Sequence, residues 1–199
     1  MNDPKTTTQG EISISCLYHK KTGKINTEKT LEAAAKRAEA LGIRCVLVAS
    51  TTGETGLLAA ELMSEKEVIV VTHSTGFTKP DYQQLRADLR EKIEAAGAKI
   101  LTCQHAFGGV GRAVRKKLGT YEVDEIMAFT LRTFGEGTKV AIEIALMAAD
   151  AGLVSTQAPC VSIGGTGEGA DTALVLVPAH AQNFFDLKVQ EILAKPRLY

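Results

Sequence analysis

The sequence predicts an α/β fold built on a mainly parallel sheet that helices cover on both faces. Short continuous apolar runs alternate along the chain with segments of helical periodicity. Such runs are typical of strands buried on both faces, and their alternation with helices indicates parallel connections. Several helical segments run into a glycine, a residue that ends helices at no steric cost. Because ligands bind beyond the carboxyl ends of the strands in such sheets, the informative residues should follow each strand.

Composition indicates one globular domain without a strong overall charge. The chain has 199 residues, of which 45% are hydrophobic, and this is enough for one well-filled core. The 23 lysines and arginines balance 23 aspartates and glutamates, so no overall field attracts nucleic acid or an anionic membrane. The polar start lacks the apolar segment of a signal peptide, and no apolar run approaches the roughly 20 residues of a membrane span. We therefore expect a cytoplasmic protein with a flexible tail over residues 1–10 and a single domain over residues 11–199.

The cysteines and histidines predict neither a disulfide framework nor a metal site. Four cysteines lie in or beside apolar runs, and no two of them form a C-x-x-C pair. Reduced thiols fit this distribution better than disulfides do. Four histidines are scattered along the chain without the spacing of zinc ligands. The residues concerned are Cys16, Cys45, Cys103, Cys160, His19, His73, His105 and His180.

Helices and strands alternate regularly in the first half of the chain. Leu31, Ala34 and Ala38 lie on one stripe of a helix that ends at Gly42. The apolar run that follows predicts a strand buried on both faces. The pattern as a whole predicts helices over residues 27–41, 54–64 and 81–96, and strands over residues 45–49, 68–71 and 99–103.

The second half of the chain is more helical and ends with further strands. The pattern predicts helices over residues 110–118, 121–134 and 138–151, and strands over residues 160–163 and 173–177. The segment over residues 186–195 fits a final strand or a helix, and we favour the strand. The helix over residues 138–151 is apolar nearly all round, sparing Lys139, Glu143 and Asp150. This indicates a helix packed between the sheet and another layer. We interpret the carboxylates of the chain, most of which lie in helices, as parts of exposed faces.

The segment from Ser50 to Thr55 follows a predicted strand and opens a predicted helix. Four of its six residues carry a hydroxyl group, whereas a simple helix cap, the alternative interpretation, needs only one. Hydroxyls and free backbone N–H groups at the positive end of a helix dipole form an anion site, and Gly53 would let the backbone approach a phosphate closely. The candidate phosphate-binding residues are Ser50, Thr51, Thr52, Gly53, Glu54 and Thr55.

Two further loops follow predicted strands and carry candidate ligand-binding residues. In the first, His73 can contact a ligand or transfer a proton and Phe77 can cover an aromatic ligand, although a locally satisfied histidine and a core phenylalanine are the alternatives. The second loop, from Gln104 to Arg112, has three glycines in four residues, which allow close backbone approach. Its arginine can offer a fixed positive charge to a phosphate or to an electron-rich ring. From this loop we select His105, Gly109, Gly111 and Arg112.

A glycine-rich segment from Gly164 to Asp171 follows the strand predicted over residues 160–163. A simple turn into the next strand is the alternative interpretation. Its position beside the other three loops adds Gly165 and Thr166 to the candidate site. The sequence shows no G-x-S-x-G elbow, HExxH pair or G-x-x-x-x-G-K-S/T phosphate loop, so we assign no catalytic residue.

Several of these segments together resemble known proteins. The segment from Ser50 to Thr55 has the S/T-x-T-G-x-T arrangement with which flavodoxins hold the phosphate of FMN. More broadly, the chain resembles a family of small proteins related to the carboxy-terminal domain of pyruvate kinase. The segments that carry this resemblance are VASTTGET at 48–55, the loop 104–112, KVAIEIALMAADAG at 139–152, IGGT at 163–166 and GADTALVL at 169–176.

The resemblance implies both a fold and a ligand. The fold is a three-layer α/β/α sandwich with a mainly parallel five-stranded core sheet and extra strands, and without the barrel that carries pyruvate kinase activity. In pyruvate kinases the loop similar to Ser50–Thr55 binds a phosphate of an allosteric sugar bisphosphate, whereas stand-alone members are associated with FMN. Two functions stay open, a flavin-dependent oxidoreductase or carrier and a phosphometabolite-sensing module without chemistry of its own. A homo-oligomer is compatible with either.

Overall fold

The computed structural model describes residues 10–197, so the tail predicted over residues 1–10 lies, except for Gly10, outside the described residues. Seven strands form one sheet, and the strands are β1 Leu17–His19, β2 Cys45–Ala49, β3 Glu67–Thr72, β4 Lys99–Thr102, β5 Cys160–Gly164, β6 Thr172–Val177 and β7 Lys188–Pro196. Six α-helices accompany them, and these are α1 Thr27–Ala40, α2 Glu54–Leu62, α3 Ala87–Ala95, α4 Val110–Leu118, α5 Val123–Arg132 and α6 Glu136–Asp150. Short 3-10 helices span Lys24–Asn26 and Ala181–Asp186.

The sheet has the order β1-β7-β6-β5-β2-β3-β4 and is mainly parallel. Strand β2 lies between β5 and β3 and runs parallel to both, with Val46 opposite Val161 on one side and Val68 on the other. Strand β6 is antiparallel to both of its neighbours, β5 and β7. The three-layer α/β fold predicted from the sequence is confirmed, with seven strands in place of the five-stranded core and extra strands that the resemblance implied.

Two hydrophobic clusters lie on the two faces of the sheet. On one face, α1, α2 and α3 pack on the strands through residues such as Leu31, Ala60 and Ile93. On the other face, α5 and α6 pack through residues that include Ala128 and Leu146. Alternate residues of a single strand belong to the two clusters. Because both faces of the central strands are buried, these strands have continuous apolar sequences. Among residues 10–197, no helix combines the length and the apolar character needed to cross a bilayer.

Helix α3 begins at Ala87, and the prediction of a helix from residue 81 is wrong for its first six residues. The backbone at Asp81 has a φ of 55°, which a helix does not contain. The Gln83 side chain then accepts a hydrogen bond from the Leu85 backbone N–H, so it caps its own loop instead of facing solvent from a helix. Gln84 is held at the same time by His73. These local contacts compete successfully with helix formation, and the segment becomes a loop beside the site described below.

Candidate functional site

A cavity of about 940 Å³ lies at the carboxyl edge of the parallel strands, on both sides of β2. From β2 the chain moves outward to β3 and β4, and then returns through α4–α6 to β5 on the opposite side of β2. Such a reversal of direction opens a crevice beyond the strand ends, where α/β proteins bind ligands. The volume falls within the range of about 300–1,000 Å³ that is usual for small-molecule sites. Residues from the loops after β2, β3, β4 and β5 all line the cavity.

The hydroxyl-rich loop after β2 occupies the centre of this edge. Its Ser50 is buried, and the hydroxyl accepts a hydrogen bond of 3.1 Å from the Gly56 backbone N–H in the first turn of α2. Because α2 begins at Glu54, the N–H groups at its start have no partner within the helix and lie in the same loop. Thr51 and Thr52 line the cavity beside the more deeply buried Thr55. The loop thus combines hydroxyl groups and helix N–H donors at the cavity wall.

Gly53 has a different role from the one that the sequence suggested. It does not line the cavity, and its backbone adopts a φ of 106°. A Cβ at this position would lie 2.8 Å from both Leu85 Cδ1 and Leu89 Cβ. Glycine is therefore needed for the left-handed turn and for close packing of the loop against α3, and the approach of its backbone to a phosphate stays a prediction.

Lys24 adds a positive charge to the cavity wall near the start of α2. Its ammonium group lies 2.7 Å from the Glu54 carboxylate, and both side chains are about half exposed. This hydrogen-bonded pair raises the pKa of Lys24 and lowers the pKa of Glu54. Both residues line the cavity. Sequence reasoning selected Glu54 alone, because Lys24 lies in a polar segment before α1 that carries no motif.

Aromatic and cationic side chains cluster at the side of the cavity formed by the β3 and β4 loops. The rings of Phe77 and His105 stack with centroids 4.9 Å apart and planes only 12° apart. His73 lies 4.2 Å from Phe77 and 5.2 Å from His105, again between ring centroids. The Arg112 guanidinium carbon lies 4.8 Å from the Phe77 ring centre. The loops after two neighbouring strands are thereby joined into one cluster at the cavity wall.

A buried charge network from α6 supports this cluster. Lys139 donates a hydrogen bond to Glu143, and both side chains are more than nine-tenths buried. The second carboxylate oxygen of Glu143 accepts a hydrogen bond of 3.0 Å from the Phe107 backbone N–H. The oxygen that Lys139 contacts also lies 3.7 Å from Nδ1 of His105, which is too long for a hydrogen bond. Glu143 therefore connects α6 to the loop after β4.

Burial and charge set the ionisation of this network. Burial raises the pKa of Glu143, but His105 and the Lys139 cation outweigh burial and lower the pKa to about 2. Burial lowers the pKa of Lys139, and the charge and hydrogen bond of Glu143 oppose this shift only in part. Burial also lowers the pKa of His73 from its usual 6.5, although Gln84 partly opposes this. At neutral pH the cavity wall therefore carries an ionised Glu143 and a neutral His73.

The cavity brings together most of the residues selected from the sequence. Those that line it are Ser50, Thr51, Thr52, Glu54, Thr55, His73, Phe77, His105, Arg112 and Gly165. Gly53, Gly109, Gly111 and Thr166 do not line it. The selection of Gly109 and Gly111 as ligand-facing is not supported, because their missing side chains make room for Gln104 and Asp124 instead. Thr166 lies close to Gly23 instead. Its carbonyl oxygen is 3.2 Å from the position that a Cβ on Gly23 would occupy.

Lys139, Glu143 and Arg132 are cavity residues that sequence reasoning missed. The interpretation of carboxylates as exposed faces is wrong for Glu143, which is only 3% exposed. One signal was present, since Lys139 and Glu143 are charged residues four apart on a helix that is otherwise apolar. Residues at that spacing lie on one helix face and can form an ion pair. A pair of opposite charges inside an apolar helix is better explained by a buried site than by a solvated face.

Residues 28–176 match the family model described as "Pyruvate kinase, alpha/beta domain", which is well over half of the chain. The chain belongs to this family. The matched residues include α2 and every loop that lines the cavity from β2 to β5. Membership in the pyruvate kinase α/β domain family indicates a small-molecule-binding or phosphometabolite-binding α/β module. The chain also matches the crystal structure of O-ureido-L-serine synthase, at 18% identity and a TM-score of 0.31, over 50% of this chain and 31% of that one.

Proposed function

We propose that this protein binds FMN in the cavity, with the phosphate at the loop Ser50–Thr55. The observation that carries the proposal is the arrangement of that loop, where hydroxyls and the start of α2 meet at the point of strand reversal. A phosphate that binds at the start of a helix is held by hydrogen-bond donors, and this loop has both hydroxyl and N–H donors. The remainder of the cavity has rings and cations, which suit a planar, electron-rich ring system.

The aromatic cluster and Arg112 at the cavity wall suit the ring of this ligand. Lys24 lies on the side of the hydroxyl loop, whereas Arg112, Arg132 and Lys139 lie on the side of α4–α6. Three of these cations, Lys24, Arg132 and Lys139, are each paired with a carboxylate that also lines the cavity. Arg112 has no carboxylate partner among the described residues, so its charge is available to an electron-rich part of the ligand. When bound, FMN supplies hydride and electron transfer itself. The protein then has to position the ring, exclude water and hold a proton near it, and the neutral His73 is a suitable proton acceptor.

A sugar bisphosphate is the second candidate ligand, because membership in the family indicates a module that binds a phosphometabolite. In that case the protein is a phosphometabolite-sensing module without catalytic activity. Both candidates use the hydroxyl loop for one phosphate, and they differ in what the Phe77 side of the cavity contacts. Because the two ligands have different absorption spectra, they are easily separated by experiment.

The first test identifies the ligand and its phosphate contact. The purified protein is examined for flavin absorbance and by mass spectrometry, and then titrated with FMN and with fructose 1,6-bisphosphate. Replacing Thr52 and Thr55 by alanine should weaken FMN binding by about 1–3 kcal/mol, the scale of hydrogen bonds to a charged group. The matched control is Thr120→Ala/Thr133→Ala, which removes two exposed hydroxyls that do not line the cavity. Tight binding of the bisphosphate without binding of FMN would decide for the sensing module.

A second measurement separates a flavin enzyme from a flavin carrier. FMN-loaded protein is mixed with NADH or NADPH, and the flavin absorbance is followed through bleaching and reoxidation in air. An oxidoreductase should be reduced faster than free FMN under the same conditions. A reduction rate and a reduction potential equal to those of free FMN would exclude the enzyme and leave the carrier.

A further inference from the structure

Two buried nitrogen atoms at the Phe77 side of the cavity have no hydrogen-bond partner among residues 10–197. They are Nε2 of His105 and Nε of Arg112, and both residues line the cavity. The described residues contain one other atom of this kind, Oε2 of Glu125, which belongs to a carboxylate already paired with Arg115. Buried polar groups in folded proteins are nearly always paired, because an unpaired group loses its hydration without compensation. Because less than 1 Å² of either atom is accessible, a ligand in the cavity completes them through a small shift of the two side chains.

Both atoms belong to side chains that pack on the same ring. His105 stacks on Phe77, with centroids 4.9 Å apart, and the Arg112 guanidinium carbon lies 4.8 Å from the centre of that ring. These contacts hold the two side chains in place on the cavity wall. His105 follows β4, two strands away from β2, so the pair lies roughly 10 Å across the sheet edge from the hydroxyl loop. A ligand that contacts both regions is therefore about that long.

The surroundings of His105 determine what its free nitrogen can accept or donate. Glu143 from α6 and His73 from the β3 loop contact the His105 ring directly. Lys139 pairs with that glutamate, and Arg112 packs on Phe77, the ring on which His105 stacks. The Glu143 carboxylate is ionised and lies 3.7 Å from Nδ1, which favours the proton on that nitrogen. In the neutral imidazole, Nε2 then carries the lone pair and is a hydrogen-bond acceptor. Nε of Arg112 is always a donor. The two atoms thus require one donor and one acceptor from the ligand.

We propose that this pair recognises the amide edge of a planar heterocycle, a neighbouring N–H and C=O. The ring N–H donates to His105 Nε2, and the carbonyl oxygen accepts from Arg112 Nε. Glu143 is a positioning residue, because it keeps the His105 proton on the far side of the ring. The inference rests on the proposed function and deepens it, since the pyrimidine part of the flavin ring has such an N–H between two carbonyls. A second phosphate offers only acceptors when fully ionised and would leave His105 Nε2 unpaired.

A flavin that lacks the N–H tests the inference directly. Equilibrium titrations compare FMN with 3-methyl-FMN, in which a methyl group replaces that hydrogen, using flavin fluorescence quenching as the readout. Wild-type protein should bind FMN at least ~10-fold more tightly, because a site built around a hydrogen bond discriminates strongly against the analogue without it. His105→Phe keeps the ring that stacks on Phe77 but removes the acceptor. In this variant the difference between the two flavins should fall to less than about threefold.

Arg112 is tested by a change that keeps its charge. Arg112→Lys removes the Nε donor and the planar group but leaves a cation, and it should weaken FMN binding by ~10-fold. Equal binding of both flavins by the wild type, or the same discrimination in His105→Phe, would overturn the inference and leave FMN binding intact. Wild-type protein that binds no FMN would overturn the proposed function and this inference together. Unchanged FMN binding in Thr52→Ala/Thr55→Ala, with discrimination at His105 retained, would overturn only the assignment of the phosphate. Thermal melts of each variant exclude unfolding as the cause.

Discussion

At the scale of single residues, the Lys139–Glu143 pair combines a structural role with a place in the cavity wall. Both charges are buried, so each depends on the other for compensation. Replacing Glu143 by glutamine leaves the Lys139 ammonium group without a counter-charge and should lower the free energy of unfolding by about 3 kcal/mol. Urea denaturation at pH 7 measures this. The double replacement Lys139→Met/Glu143→Leu should recover part of the loss, because it removes both charges but leaves the buried Phe107 N–H without its acceptor. If the single and double variants are equally unstable, packing rather than charge dominates.

The same pair predicts an acid transition. The pKa of Glu143 is about 2 in the folded protein, against an ordinary value of 4.5, so the folded state binds its proton less readily than the unfolded state does. The resulting stabilisation is complete above about pH 4.5 and is lost as the pH falls towards 2. Over that interval Glu143 should contribute a loss of about 3 kcal/mol. Urea denaturation at several pH values should show a shallower decline for Lys139→Met/Glu143→Leu than for the wild type. Parallel curves would contradict the assignment.

The sequence identified those site residues that could be selected by their position after a strand. It did not identify residues whose place in the site depends on their burial. His73, His105 and Arg112 were selected because they follow strands, and all three line the cavity. Periodicity could not reveal that Glu143 faces the cavity, because an amphipathic pattern does not tell a polar pocket from solvent. The glycines were selected for the freedom of their backbone. At Gly53 and Gly109, however, the absence of a side chain serves packing within the protein.

At the scale of elements, continuous apolar runs predicted the parallel strands β2 to β5 to within one residue at each end. The final segment fitted either a strand or a helix, and β7 confirms the strand, which was the favoured alternative. The antiparallel direction of β6 was not predictable in the same way, because a strand buried on both faces has the same pattern in either direction. The three-residue β1 and the two 3-10 helices were too short to show any periodicity. The start of α3 was missed because side-chain contacts in the loop before it outweigh helix propensity.

The close contact between α6 and β5 gives a prediction at this scale. A Cβ on Gly164 would lie 2.4 Å from the Gly137 carbonyl oxygen and 2.9 Å from the Ala141 backbone nitrogen, both in α6. Since backbone cannot move aside cheaply, Gly164→Ala must push the helix away from the sheet. We expect a loss of about 1–3 kcal/mol in unfolding free energy, together with weaker FMN binding, because α6 carries Lys139 and Glu143.

A second glycine provides the control for Gly164→Ala. Gly152 has a φ of 70° and open space around the position of a Cβ, so Gly152→Ala introduces backbone strain without a steric clash. Strain of this kind costs about 1–2 kcal/mol, and it lies beyond the carboxyl end of α6, whereas Lys139 lies in the first turn of that helix. Gly152→Ala should therefore lower stability and leave FMN affinity unchanged. If both variants lower affinity equally, the site responds to global stability rather than to the position of α6.

At the scale of the whole molecule, the order of the strands creates the site. The chain reverses its direction at β2, so the loops after β2 and β5 separate and open the cavity between the two helical layers. The sequence predicted this edge of the sheet as the location of the site, because strand-to-helix loops in parallel sheets all meet there. The direction of each crossover was not visible in the sequence. As a result, the residues of α6 that close the cavity from the opposite layer were not selected.

Because the cavity is lined from both layers, a ligand should stabilise the fold as a whole. Wall residues come from α1 and α2 on one face of the sheet and from α4 and α6 on the other, so global unfolding must release the ligand. At a free FMN concentration of 100 times Kd, the free energy of unfolding should rise by about 2.7 kcal/mol. For a domain of this size the midpoint of thermal unfolding should rise by about 5–10 °C. Circular dichroism melts, recorded at several FMN concentrations, give this shift and its dependence on ligand.

Riboflavin separates the contribution of the phosphate from that of the ring in the same experiment. It has the flavin ring but no phosphate, so at equal concentration it should shift the midpoint much less than FMN does. Thr52→Ala/Thr55→Ala should reduce the FMN shift towards the riboflavin value and leave the riboflavin shift unchanged, because only FMN contacts those hydroxyls through its phosphate. His105→Phe should instead reduce both shifts in proportion, since both ligands present the same ring to that residue. Equal shifts for FMN and riboflavin in the wild type would show that the loop Ser50–Thr55 does not bind the phosphate.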